Sequence, residues 1–223
     1  MTTRAALNLS ILLATLIAAP AAAQVTAYTD EALFLADVAA LGWCVDLESF
    51  ESDAAWGGAR SPATLPSVTS LGITWLPNNA TSELTTGGGP ARTGAWGFYE
   101  LPHGDFGNGI GDGFFNQATD TLFAVGAWLV SNTPGARINL VLDGVTVIDF
   151  GGANVVGTSH SFFGVIDPAG FTTVEFRETE GASGDPKYIF GDDFSFGRVN
   201  CYSAIFVDGF ESGDASAWSA VVP

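Results

Sequence analysis

Two adjacent acidic residues near the end of the chain could bind a cation. Asp192 and Asp193 lie there in the phrase IFGDDFSFG. Carboxylate oxygens are ligands that Ca²⁺ prefers in proteins.

The alternation of IFGDDFSFG places one of these acids beside aromatic rings. In an extended strand Asp192 shares its face with three phenylalanines, Phe190, Phe194 and Phe196. A bulge at Gly191 would shift this register. A lone carboxylate at the margin of a core is costly, and calcium, an arginine or backbone N–H groups could each satisfy it. Solvated acids with hydrogen-bonded turns are the alternative to a metal site.

A second, weaker metal pattern lies in the glycine-rich segment GDFGNGIGDG at 104–113. Asp105, Asn108 and Asp112 alternate there with glycines. Their spacing fits neither the EF-hand order nor the nonapeptide calcium repeat. The longer region 86–113 is predicted to be a surface excursion interrupted by one strand, either a functional loop or an ordinary connection.

Three aromatic residues in or beside predicted loops are candidates for contact with a sugar. Trp56, Trp96 and Tyr99 differ in this respect from Trp128, which lies inside an apolar strand segment. Exposed aromatic rings can stack on sugar faces. Packing at the edge of the core is the alternative, because large aromatic side chains are usually at least half buried.

Patterns for catalysis are weak in this sequence. The two histidines, His103 and His160, lack the strand–elbow–helix setting of a serine hydrolase, and no G-x-S-x-G motif occurs. Glycoside hydrolysis needs two facing carboxylates, for which Glu175, Glu178 and Glu180 are candidates. Glu175 is read more simply as an exposed ion pair with Arg177.

The two cysteines, Cys44 and Cys201, lie near opposite ends of the chain. In an oxidising compartment they are predicted to form a disulfide. Closing so long a loop stabilises a fold by roughly 4–5 kcal/mol in the chain-entropy model. Two free buried thiols are the alternative.

Composition limits the class of protein. The 223 residues carry a formal net charge of −17 and are 47% hydrophobic. An acidic surface repels phosphate backbones and anionic lipids, so nucleic acid is not an expected partner. The apolar content excludes disorder for most of the chain, and the length fits a single β domain.

The first 23 residues have the layout of a secretory signal peptide. Arg4 precedes the apolar run at 11–19, and small residues lead to a predicted cleavage site after Ala23. The run is too short to span a bilayer, which needs roughly 20 residues. We expect a secreted or cell-surface protein with no membrane span in the mature chain.

Strands are the main elements that the sequence predicts around these residues. One helix is predicted over 29–41, with Thr29 as N-cap and Gly42 at its end. Apolar–polar alternation then predicts eight to ten short strands, with a type I′ hairpin turn at Asp143–Gly144. Such spacing favours an all-β, antiparallel β-sandwich of jelly-roll type over 24–199, followed by a tail over 200–223.

Two resemblances accompany these patterns. LESFES with a following Trp, and YIFGDDFSFG, resemble the two edges of jelly-roll carbohydrate-binding modules. That resemblance implies a structural calcium held by Glu48 or Glu51 with Asp192 or Asp193. The stretch 121–197 resembles secreted bacterial β-sandwich proteins of the PEP-CTERM-associated kind, although the Pro-Glu-Pro motif, terminal apolar span and closing arginine cluster are absent.

The tail phrase DGFESGDASAW at 208–218 echoes the earlier LESFESDAAW. It resembles short tails of exported bacterial proteins.

The sequence as a whole predicts a secreted, non-catalytic binding protein that contacts polysaccharide or cell-surface components. A secreted glycan-acting hydrolase is the alternative, and a purely structural matrix component is a third reading.

Overall fold

The computed structural model describes residues 24–103, 112–179 and 188–199. The predicted signal peptide and the tail over 200–223 lie outside these ranges, as do Asp105, Asn108, Glu180 and Cys201. No helix within the described ranges is both long and apolar enough to cross a membrane.

Antiparallel strands dominate the described residues, which confirms the all-β sandwich. The two α-helices are α1 (Glu31–Ala40) and α2 (Asp53–Trp56). The strands are β1 (Thr26–Tyr28), β2 (Cys44–Glu48), β3 (Val68–Ser70), β4 (Ile73–Pro77), β5 (Glu83–Gly87), β6 (Gly97–Leu101), β7 (Gly113–Ser131), β8 (Ala136–Leu142), β9 (Thr146–Ile148), β10 (Val155–Val156), β11 (Ser161–Glu178) and β12 (Ile189–Arg198).

The predicted N-terminal helix is confirmed, with a different cap. Asp30 has extended backbone angles and its carboxylate accepts the N–H of Leu33 at 3.1 Å. Asp30, not Thr29, is therefore the N-cap. Phe34 and Val38 are the buried residues of α1 and pack on β7 and β11 with Phe162.

Two long strands build both layers of the sandwich. The first part of β7 pairs with β4 on one side and with the last part of β11 on the other. Its second part pairs with the first part of β11 and with β12. The register of β11 against β7 shifts between Ile166 and Phe171, which separates the two paired parts of these strands. The sequence predicts separate strands at 160–166 and 171–178, whereas they are one continuous element.

Aromatic rings fill the space between the layers. Phe194 of β12 lies 4.9 Å from Trp75 of β4 and 5.2 Å from Phe176 of β11, measured between ring centroids. Phe98 of β6 stacks on Phe50 at 5.2 Å. Edge-to-face contacts of this kind add to the energy of area burial, so this cluster is the main core of the protein.

The first and last strands of the predicted sandwich are neighbours. β2 pairs antiparallel with β12, with Cys44 opposite Arg198 and Glu48 opposite Phe194. Cys201 lies outside the described residues, so the predicted disulfide with Cys44 stays a prediction. The hairpin turn at Asp143 and Gly144 has positive φ at both residues, 47° and 68°, which confirms the type I′ prediction.

Candidate binding cleft and the acid-anchored loop

The connection between β5 and β6, residues 88–96, is held to the sandwich by three of the four acids that the sequence singles out. We call it the anchored loop. It lies close to β12 because Gly191 of β12 pairs with Phe98 of β6. Part of the glycine-rich surface excursion predicted at 86–113 is therefore a fixed hairpin connection.

The two adjacent aspartates of β12 hold the middle of the anchored loop. Oδ2 of Asp192 accepts the N–H of Arg92 at 2.6 Å and the N–H of Thr93 at 3.0 Å. Asp193 accepts Nη1 of Arg92 at 2.6 Å and the hydroxyl of Thr93 at 2.7 Å. Burial raises the pKa of Asp192 to about 6, although the three backbone N–H groups that it accepts act against burial.

A β-bulge at Asp193 lets the side chains of both aspartates reach Arg92 and Thr93. Asp193 has a φ of 48°, and the pairing of β12 with β7 shifts between Asp192 and Ser195. The sequence places the possible bulge at Gly191. Gly191 serves packing instead, because a Cβ there would lie 2.6 Å from the ring of Phe194.

Glu51 holds the end of the anchored loop. Its Oε1 accepts the N–H groups of Ala95 and Trp96, each at 2.9 Å. Gly94 has a φ of +61°, and a Cβ there would lie 2.4 Å from the Glu51 carboxylate. Gly94 therefore meets two demands at once, a left-handed backbone and a close approach to an acid.

Glu48 is separate from this arrangement. It is buried, and its Oε1 accepts the N–H of Phe50 at 2.7 Å, within the turn where Phe50 has a φ of 62°. Within the described ranges no three acidic, histidine or cysteine side chains are arranged to hold a metal ion. Calcium at Glu48, Glu51, Asp192 and Asp193 stays a prediction, and each of these acids has protein donors.

The anchored loop carries Arg92 onto Trp128. The guanidinium carbon lies 3.9 Å from the Trp128 ring centroid, and Nη2 lies 3.9 Å from Oε2 of Glu31. Trp128 donates its Nε1–H to Oε1 of Glu31 at 2.9 Å. The indole is therefore fixed by a cation–π interaction with Arg92 and by a hydrogen bond to the first turn of α1.

Trp128 and the start of α1 line a cleft of about 590 Å³. Asp30, Glu31, His160, Ser161 and Phe162 are also part of its lining. Nε2 of His160 lies 3.0 Å from the carbonyl oxygen of Pro90, so the rim of the cleft is joined to the anchored loop. A cleft of this size, with an aromatic wall and a few convergent polar groups, is the usual form of a small-ligand site.

The three aromatic residues predicted to bind sugar are not equivalent. Trp56 is fully buried, because α2 turns it inward against Phe50 at 4.8 Å and Phe98 at 5.6 Å between ring centroids. Trp56 therefore lies in the core and not at the loop surface that the sequence predicts. Trp96 is half-buried, with the guanidinium of Arg60 over its ring at 4.2 Å.

Tyr99 is also half-buried, in an aromatic stack at the other side of β6. Its ring stacks on His103 at 5.6 Å, and His103 in turn stacks on Tyr188 at 4.2 Å. Trp96 and Tyr99 stay candidates for ligand contact. Trp128, which the sequence places inside an apolar strand, is the aromatic residue that lines the cleft.

The acids considered for hydrolysis are engaged. Arg177 binds Glu175 through Nε at 2.8 Å and Nη2 at 2.5 Å, and these hydrogen bonds raise the pKa of Arg177. The predicted pair forms, but Glu175 is buried rather than exposed, because β7 and β8 flank it on both sides. Glu178 is 2% exposed.

Comparison with known proteins finds one distant structural likeness. No family model matches the chain, and no curated protein is significantly similar to it. Among solved structures, the K2 cleaved adhesin domain of Lys-gingipain is similar with 17% identity and a TM-score of 0.44, covering 69% of this chain and 99% of that one. A likeness at this level carries no inference about function, and the two resemblances given above stay predictions.

Proposed function

We propose that this protein is a secreted, non-catalytic binding protein that holds a neutral segment of a polysaccharide in the cleft beside Trp128. The observation that supports the proposal most is the fixed orientation of the Trp128 indole in a cleft of about 590 Å³. A preorganised wall costs little ordering entropy when a ligand binds.

The charges around the cleft favour a neutral ligand. Asp30 and Glu31 line it, and the charge of Arg92 is balanced by Asp193 at 2.6 Å and by Glu31 at 3.9 Å. The whole chain carries a formal net charge of −17. An anionic polymer would meet repulsion, whereas a neutral sugar can place its C–H face on an aromatic ring and its hydroxyls on carboxylates.

The acids considered for catalysis support a non-catalytic role. A hydrolase needs two carboxylates that reach both the substrate and water. Glu175 is held by Arg177, and Glu178 is buried and accepts the N–H of Asp112 at 3.2 Å. Asp30 caps α1, and Glu31 accepts from Trp128. None of these four acids has the free, facing arrangement that glycoside hydrolysis requires.

The proposal is tested by affinity electrophoresis and calorimetry against neutral polysaccharides built from glucose or N-acetylglucosamine. We expect Trp128→Ala to abolish binding. Trp96→Ala is the matched control, because Trp96 is also half-buried and also lies under an arginine. Loss of binding in Trp96→Ala alone would move the site to that surface. Release of reducing ends by the wild type, or no binding to any neutral polymer, would contradict the proposal.

A further inference from the structure

A second pocket borders the anchored loop, next to the cleft that Trp128 lines. Its volume is about 390 Å³. The anchored loop, the end of β7, the connection between β10 and β11 and the start of β12 all contribute to its lining, which includes Pro90, Val130, Asn132, Thr158 and Phe190. We call it the Phe190 pocket.

Phe190 and Trp128 lie close together on one face of the sheet. In the antiparallel register of β12 with β7, Phe190 pairs with Val130 and Asp192 pairs with Trp128. Side chains two positions apart on a strand share a face. Phe190 and Trp128 are therefore diagonal neighbours, a relation that places two residues roughly 7–8 Å apart.

Phe190 is a half-buried aromatic residue with a fixed ring. The sequence places it on the same face as Phe194, but the β-bulge at Asp193 ends that alternation. Phe194 lies in the core, whereas the ring of Phe190 meets Tyr99 at 5.6 Å and His103 at 5.3 Å, edge to face between centroids. The Phe190 pocket therefore has a preorganised aromatic wall, like the larger cleft.

The remaining lining of the Phe190 pocket is polar without charge. Among the described residues, those that line it include Ser131, Asn132 and Thr158, and none of the lining residues is acidic or basic. The Asn132 side chain is held in place, because its Oδ1 accepts the N–H of Tyr188 at 2.8 Å. Hydroxyl and amide groups exchange hydrogen bonds with sugar hydroxyls. In a chain with a formal net charge of −17, an uncharged pocket favours a neutral ligand.

The anchored loop connects the Phe190 pocket to the larger cleft. Pro90 lines the pocket, and its carbonyl oxygen lies 3.0 Å from Nε2 of His160, which lines the cleft. Pro90 is buried against β6, since a Cβ at Gly97 would lie 2.5 Å from the Pro90 carbonyl carbon. The contact between Pro90 and His160 is thus a fixed border that the two share.

We propose that the Phe190 pocket is a second sugar-binding subsite, so that the protein binds a run of several neutral sugar units extending from Trp128 to Phe190. This inference rests on the proposed function for the class of ligand, and it adds the length of chain that is recognised. A single unit fills one site only. A longer chain that passes over the border between Pro90 and His160 makes its second contact intramolecularly, which increases affinity without a second cost of association.

The test is calorimetry of the purified protein with neutral oligomers of glucose or N-acetylglucosamine, from the dimer to the hexamer. We expect the hexamer to bind about tenfold more tightly than the dimer. Phe190→Ala should remove this gain and leave the affinity for the dimer unchanged, whereas Trp128→Ala should abolish binding at every length. Phe123→Ala is the matched control, because Phe123 is a half-buried phenylalanine that also contacts an aromatic ring and lies outside both linings. It should bind as the wild type does.

A second variant tests the pocket without changing its aromatic wall. Thr158 is exposed, so Thr158→Trp should fill the pocket while the protein stays folded, and it should lower the affinity for the hexamer alone by about tenfold. A length dependence that survives in both Phe190→Ala and Thr158→Trp would overturn the second subsite. Equal wild-type affinities for dimer and hexamer, with loss of binding in Trp128→Ala, would overturn it and leave the proposed function intact. A wild type that binds no oligomer would overturn both.

Discussion

The ion pair between Arg92 and Asp193 gives a quantitative test of the anchored loop. We consider a double-mutant cycle of Arg92→Met, Asp193→Asn and both together. Methionine keeps an aliphatic stem over Trp128 without the charge. Asparagine tolerates the positive φ of 48° at position 193. The cycle therefore isolates the pair itself, within the usual limits of such cycles.

The expected coupling follows from the burial of the pair. The Asp193 side chain is 5% exposed and that of Arg92 is 30% exposed, at an N–O distance of 2.6 Å. Breaking a fully buried pair costs about 3–5 kcal/mol, and exposed pairs contribute about 0.2–1 kcal/mol. A pair with one buried and one partly exposed partner should couple by about 2 kcal/mol.

A matched pair in the same protein serves as the control. Arg60 also lies over a tryptophan and also bonds an aspartate, Asp53, at 2.9 Å, but the Asp53 side chain is 84% exposed. The cycle of Arg60→Met with Asp53→Asn should give no more than about 0.5 kcal/mol. Urea denaturation of both sets at low and high salt measures the two couplings. Equal couplings, or a value near zero for Arg92 with Asp193, would show that burial of Asp193 does not strengthen its ion pair.

Three further predictions concern the fold. Phe194→Ala should lower the free energy of unfolding by about 4 kcal/mol, because its ring packs against Trp75 and Phe176 of the facing layer. Phe190→Ala, half-buried on the same strand, should lower it by about 1–2 kcal/mol. Denaturant titration measures both, and similar losses would mean that Phe194 does not join the layers. The pKa of Asp143 is lowered, because hydrogen bonds from Thr172 and Thr173 outweigh the effect of burial, which acts to raise it. The stability that Asp143 adds is therefore present above its unfolded pKa of about 3.9. This stability is lost as pH falls through the folded pKa. Asp143→Asn should therefore destabilise by about 1 kcal/mol at neutral pH and by nothing in strong acid, and a difference that persists in acid would argue against this origin. Peptide mapping without reductant should recover Cys44 joined to Cys201, and recovery of both as alkylated free thiols would exclude the disulfide.

Local patterns predict most strands of this protein, and miss them where polarity interrupts a continuous element. β8, β9 and β12 follow alternation closely. The first part of β7 is not predicted because Asn116 and Gln117 break its apolar pattern, although the strand is paired on both sides there. β5 has only one large apolar residue, Leu84, and is defined by its pairing with β6. Pairing partners far apart in the chain supply what the local pattern lacks.

The candidate sites depend still more on contacts between distant segments. The sequence selects Glu51, Asp192 and Asp193 as calcium ligands, which stays a prediction. All three bind the anchored loop, and the position of that loop is decided by β6 pairing with β12. Nothing local marks Trp128 as part of a cleft, because the cleft forms only when α1 lies across β7 and β11.

Binding of a neutral glycan against Trp128 can be followed through the indole N–H signals in a ¹⁵N-correlated NMR spectrum. On titration with oligomers of glucose or N-acetylglucosamine, the Nε1–H signal of Trp128, which is hydrogen-bonded to Glu31, should shift and saturate. The signals of the buried Trp56 and Trp75 should stay in place. A saturable shift of Trp96 with Trp128 unchanged would contradict the claim.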